Sequence, residues 1–133
     1  MQKTYRGSCH CGAVVFEADL DLEQPTFRCN CSICRRTRFW VAVAGGDGMR
    51  LLRGEGDLVE YRFGNGRNQH FFCRHCGVRP FGIGNDTPVG RMHGINVGCL
   101  EDLDDEALSK LRIVRVDGLH DRWPEPPEHG SHL

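Results

Sequence analysis

The chain has 133 residues and a formal net charge of -1, with 17 Lys and Arg against 18 Asp and Glu. That length fits one ordinary domain and leaves no room for a cofactor domain beside a catalytic one. The balanced charge lacks the basic excess of a dedicated nucleic-acid binder, so nucleic acid is not an expected partner. Leu, Ile, Val and Phe together exceed the roughly 20% share below which chains tend to stay disordered, so a core is expected.

Taken in order, the chain opens on MQKTYRGSCHCG, which lacks the apolar stretch of a secretory signal. Nor does any later run approach the ~18 apolar residues of a membrane helix. A soluble, cytoplasmic protein without a membrane partner is expected. Cys9-His10-Cys11-Gly12 forms a first sulfur knot, and alternating residues 13–18 follow as a strand. Cys29-Asn30-Cys31-Ser32-Ile33-Cys34 is a second knot. Further strands are expected over 40–43, 49–53, 58–63, 69–72, 78–83, 92–97 and 111–116, most of them separated by some of the 17 glycines. Cys73-Arg74-His75-Cys76-Gly77 is the third knot. One short helix at most is expected, over 103–111, where Leu103, Leu108 and Leu111 share a face and Asp102 or Asp104 caps the start. Three prolines and little apolar content over 124–133 predict a flexible tail after a single domain spanning 1–123.

Eight cysteines in a chain of this size require disulfides or metal. Close pairs such as Cys9/Cys11 and Cys29/Cys31 would close only tiny, strained rings, which favours metal. Two cysteines one or two residues apart at a tight turn place both sulfurs on one tetrahedral Zn²⁺. Cys9 and Cys11 with Cys73 and Cys76 therefore make a closed, structural site, the trailing Gly12 and Gly77 permitting the turns. Cys29, Cys31 and Cys34 supply three sulfurs and no obvious fourth ligand, which is the open arrangement of catalytic zinc. Two zinc ions, one structural and one catalytic, are the resulting expectation. The alternatives are a zinc ribbon built from Cys31, Cys34, Cys73 and Cys76, or an iron-sulfur cluster. Cys99 reads first as a small buried hydrophobe and second as a fourth ligand to the middle site. His10 and His75 lie inside knots with supporting roles. Arg28, Arg35, Arg36 and Arg38 crowd the three-cysteine loop, where Arg35 and Arg36 are candidates to grip a ligand's carboxylate; the plainer alternative is a solvated basic face.

Gly7-Ser8-Cys9-His10-Cys11-Gly12-Ala13-Val14, Cys29-Asn30-Cys31-Ser32-Ile33-Cys34-Arg35, Phe72-Cys73-Arg74-His75-Cys76-Gly77 and Ile95-Asn96-Val97-Gly98-Cys99-Leu100 together resemble the glutathione-dependent formaldehyde-activating enzymes. The eukaryotic relatives of that family include centromere protein V. The resemblance implies a mainly β fold, a β-tent of short antiparallel sheets stapled by zinc, with the same partition of ligands. It also implies a carbon-sulfur lyase that joins a small thiol such as glutathione to formaldehyde or a similar small aldehyde. A zinc-stapled binding module on the same fold, without catalysis, is the second reading.

Overall fold

A computed structural model describes residues 1–133. Its logic is visible in strand β2 (Val15–Leu20), where Phe16, Ala18 and Leu20 are buried and Glu17 and Asp19 turn toward Arg50. Side chains alternate across a strand, so one face joins the core and the other meets water. β2 lies between β1 (Lys3–Ser8) and β5 (Met49–Arg53) in a three-stranded antiparallel sheet.

The second sheet has seven strands. They are β3 (Thr26–Cys29), β4 (Trp40–Ala44), β6 (Leu58–Tyr61), β7 (Gln69–Cys73), β8 (Phe81–Gly84), β9 (Met92–Asn96) and β10 (Ile113–Val116), in spatial order β10-β3-β4-β9-β8-β7-β6. Every pair is antiparallel except β10 with β3, which run parallel and set Val116 beside Cys29. The core fills the space between the sheets: Phe16 meets Phe81 edge-on at 6.1 Å, with Ala42, Ala44, Ile95 and Val97 around them.

The expected mainly β fold is present, with two differences of detail. β1 and β3 add strands that apolar alternation does not announce, since Lys3–Ser8 is polar at most positions and Thr26–Cys29 is only four residues long. Two short helices stand where at most one was expected: α2 (Asp105–Ser109), capped by the Asp104 carboxylate on the Ala107 N–H, and α1 (Ser32–Thr37). α1 has no buried face, so no apolar period marks it; it is a single turn and a half between Cys31 and a left-handed Arg38. Beyond β10 the chain folds back, and Arg115 donates to the carbonyl of the buried Leu133 at 3.0 Å.

Candidate metal centres and the adjoining cavity

Cys9 follows β1 and Cys73 ends β7, so their sulfurs belong to different sheets and meet at the edge of the core. The sulfurs of Cys9, Cys11, Cys73 and Cys76 all lie within 4.8 Å of one another. Cys9 Sγ to Cys11 Sγ and Cys11 Sγ to Cys73 Sγ are each 3.7 Å. Four sulfurs on a tetrahedral zinc, with Zn–S about 2.3 Å, stand about 3.8 Å apart, so the set fits that ion closely. All eight cysteines are free thiols. The knuckle turns depend on Gly12 at φ +80° and Gly77 at φ +76°, a region that side chains disfavour. Those turns aim backbone N–H groups at sulfur, Val14 N–H to Cys9 Sγ at 3.3 Å and His75 N–H to Cys73 Sγ at 3.4 Å.

The second cluster is assembled from one loop. Cys29 ends β3, Cys31 precedes α1 and Cys34 lies within it, and their sulfurs also fall within 4.8 Å of one another. Hydrogen bonds from Cys29 and Cys34 hold Cys31 far below the ordinary thiol range, while Cys29 and then Cys31 drive Cys34 above it. Three cysteine sulfurs this close together form a donor set suited to a soft cation. The loop is held by Asn30, buried between two of the ligands: its amide donates to Asp117 at 2.9 Å and its carbonyl accepts from the Leu119 N–H at 2.9 Å. Asp117 also accepts from the His120 ring. Parallel pairing of β10 with β3 delivers this support, and Gly118 then passes so close that a Cβ there would stand 2.4 Å from Cys29 Sγ.

The three sulfurs border a cavity of about 520 Å³. Its floor is the second face of the large sheet. Alternation sends Ala42, Ala44 and Ile95 into the core and Val41, Val43 and Gly94 into the cavity. Arg79, two residues before β8, enters beside the cluster with its guanidinium 3.9 Å from the centre of the Phe39 ring. Its Nη2 donates to His70 Nδ1 at 2.7 Å, whereas its Nε and Nη1 are buried without a partner. Because arginine only donates, His70 must accept at Nδ1, which makes it a neutral ring. Desolvation, and then the Arg79 charge, push His70 down to about 4.

The cysteines named from sequence thus fall into the two expected groups. Cys99 is not in either: it is buried in the core after β9, and burial, with the charges of Cys9 and Cys76, pushes its thiol up to about 12. The small-hydrophobe reading of Cys99 describes its place, and its part as fourth ligand is withdrawn. Arg35 and Arg36 are exposed on α1, and Arg36 donates to the Ser32 carbonyl at 2.8 Å; neither lines the cavity. Arg28 stacks on Trp40 at 5.2 Å. His75 pairs with Asp57 at 2.7 Å, and His10 is exposed. Sequence reasoning missed Arg79, His70, Asn30 and Asp117 as parts of the site. Only Asn30 carried a local signal, its place between two ligands.

A sequence profile of the family described as glutathione-dependent formaldehyde-activating enzyme matches residues 4–114. The chain belongs to that family. A Halomonas elongata protein provisionally named a glutathione-dependent formaldehyde-activating enzyme is 48% identical over 54 residues, which cover 40% of this chain and 31% of that relative. The chain thus matches about a third of that relative's length. The crystal structure of a Rhodobacter sphaeroides protein superposes with a TM-score of 0.70 at 33% identity, over 82% of this chain and 99% of that one. Both cysteine clusters have the donor atoms to hold a metal ion. No helix is long and apolar enough to cross a membrane.

Proposed function

We propose that the protein is a zinc-dependent carbon-sulfur lyase that forms or cleaves an S-hydroxymethyl-type adduct of a small thiol, such as glutathione, with an aldehyde. The observation that carries this reading is the three-sulfur cluster of Cys29, Cys31 and Cys34, bordering a cavity and lacking a fourth protein ligand. Cys9, Cys11, Cys73 and Cys76 hold the structural zinc in this reading. Bound at the three-sulfur site, zinc supplies Lewis acidity and a soft position for sulfur.

The residues of the chain then have separate tasks. Cys29, Cys31 and Cys34 would hold the ion at the edge of the cavity. Three thiolates leave it a formal local charge of -1, and the buried guanidinium of Arg79 offsets that charge at the cavity wall. Arg35 and Arg36, on the helix that carries Cys34, offer outer positive charge to a thiol bearing carboxylates. Asn30 and Asp117 keep the loop in register. The chemistry asks little beyond proximity, since holding thiol and carbonyl together makes a bimolecular addition effectively unimolecular. Cysteines held as metal ligands rather than as disulfides suit a reducing compartment, which supports a cytoplasmic setting.

Exchange NMR on glutathione and formaldehyde, with zinc content measured in parallel, tests the reading. Faster adduct exchange with the zinc-loaded protein, abolished in Cys31→Ala, is expected. A zinc-loaded protein without effect on exchange with any aldehyde would move the non-catalytic binding module ahead.

A further inference from the structure

An antiparallel sheet with a solvated second face ordinarily alternates apolar inward and polar outward. β4 does not: Ala42 and Ala44 face the core, yet Val41 and Val43 on the opposite face are apolar as well, and Val43 is 39% exposed. The adjoining strands continue the pattern with Gly82, Gly84, Gly94 and Met92. The glycines lower the floor, and the valines and Met92 make it oily. Phe27, Ile33, Phe39, Phe63 and Val89 add further apolar lining.

The polar groups of this cavity are mostly engaged with one another. Asp86 is paired with Arg67 at 3.2 Å and accepts from Asn65. The Asn68 carbonyl accepts from the Asn85 and Asp86 N–H groups, the Gln69 carbonyl from the Asn85 amide, and Thr87 donates to the Gly90 carbonyl. Among the buried polar groups, Arg79 stands out: its Nε and Nη1 have no oxygen or nitrogen acceptor, and its guanidinium otherwise faces the Cys34 sulfur. A buried donor left unmade is costly, which points to an acceptor that arrives with a ligand. A compact oxygen acceptor suits these donors, a carbonyl oxygen being a stronger acceptor than a thiol sulfur.

The volume carries the same message. At about 520 Å³ the cavity is within the range of sites for whole small molecules, and formaldehyde, with two heavy atoms, needs only about twice the ~30 Å³ share of a water. Glutathione is a poor occupant of the remainder: it brings two carboxylates and an ammonium to a wall with one permanent cation, Arg79, and the carboxylate of Asp86.

We propose that the cavity takes the carbonyl partner of the reaction, and that this partner is an apolar aldehyde longer than formaldehyde, its oxygen held by Arg79 and its chain lying on Val41, Val43 and Met92. This assignment rests on the proposed thiol-adduct chemistry. The thiol sulfur adds to the carbonyl carbon, a C–S bond forms, the C=O π pair moves to oxygen, and the thiol proton ends on that oxygen; cleavage is the reverse, with no change of oxidation state. Arg79 donates to the oxygen as charge grows on it, held in place by the neutral His70 ring and the Phe39 face.

Two measurements on the zinc-loaded full chain test this. The first uses octanamide, which keeps the carbonyl and the chain but does not add thiols, read by calorimetry and by fluorescence of Trp123, a residue of the cavity wall. Octanamide is expected to bind at least tenfold tighter than acetamide. Val43→Trp, at an exposed position that fills the floor, should lose that preference while keeping two zinc ions. Arg79→Gln should weaken octanamide at least tenfold. The second compares glutathione exchange with octanal and with formaldehyde. Octanal should have the higher kcat/KM, and Val43→Trp should reverse the order. Acceleration with formaldehyde alone, with octanamide unbound, overturns this inference and leaves the proposed function standing. Acceleration with neither aldehyde overturns both.

Discussion

The two sulfur clusters use one ligand type in two ways. Cys9 and Cys11 are brought to Cys73 and Cys76 across both sheets, whereas Cys29, Cys31 and Cys34 are already neighbours in one loop. A crosslink between distant segments removes far more freedom from the unfolded chain than one within a short loop. With zinc bound as proposed, the first cluster would brace the fold, and the second would add little to it. Their surroundings agree: Cys9 and Cys73 are buried with Val14 and do not line the large cavity, while the three-sulfur loop borders that cavity and the Arg79 guanidinium. In the proposed reading, the spacing of the cysteines along the chain separates support from chemistry.

The sharpest way to break this contrast is Cys76→Ala. A domain of this size has about 5–15 kcal/mol of net stability, and a structural zinc site contributes an apparent ~10–16 kcal/mol. Losing one of four ligands should therefore unfold or aggregate the chain, seen by circular dichroism and size-exclusion chromatography. A soluble, native-like variant would end the structural assignment. Cys31→Ala should do the opposite, lowering zinc from two ions to one and removing activity at a stability cost of about 0.5–3 kcal/mol. Global unfolding on that change would mean that both clusters support the fold.

Gly118→Ala probes the second cluster without touching a ligand. Its Cβ would stand 2.4 Å from Cys29 Sγ and 2.7 Å from the Trp123 ring, so one of them must move. Overpacking of this kind costs roughly 1–3 kcal/mol, and here it should also loosen zinc at the three-sulfur site while the four-sulfur site keeps its ion. Urea titration together with competition by a chelator separates the two effects.

The smallest effect concerns His70. Its folded value of about 4 lies below the 6.5 of a free imidazole, so it stays neutral as pH falls through the range where the unfolded chain takes up that proton. Stability from this group is present above about 6.5 and declines toward 4. NMR of the imidazole at pH 6 should show a neutral ring protonated at Nε2. In Arg79→Gln the loss of the neighbouring charge should raise the titration toward 6.5, leaving the part due to burial. A wild-type ring that titrates near 6.5 would contradict the Arg79–His70 contact.

The sequence by itself determined the sulfur chemistry and the sheet content. C-x-C and C-x-x-C spacings with trailing Gly12 and Gly77 are local, and the turns they require form within a few residues, so the knots could be paired into sites before any fold was known. Period-two alternation likewise marked most strands, because a half-buried strand writes its two faces into adjacent residues. The short α1 left no such mark, having no buried face, and the polar β1 left little. What only the tertiary structure decided is the side of the site made by distant chain. Arg79 meets Cys34 because β8 lies two strands from β4 in the large sheet; Asn30 meets Asp117 because β10 runs parallel to β3; and Val41, Val43 and Gly94 become a cavity floor only when their strands pair side by side. Arg35 and Arg36 were close to the sulfurs in sequence and still stand outside the cavity, since a helix of a turn and a half points its exposed side chains away from the sheet. Nearness along the chain groups the cysteines within each knot, whereas the meeting of distant knots and the environment that would act on a substrate depend on strand order, which no local pattern encodes.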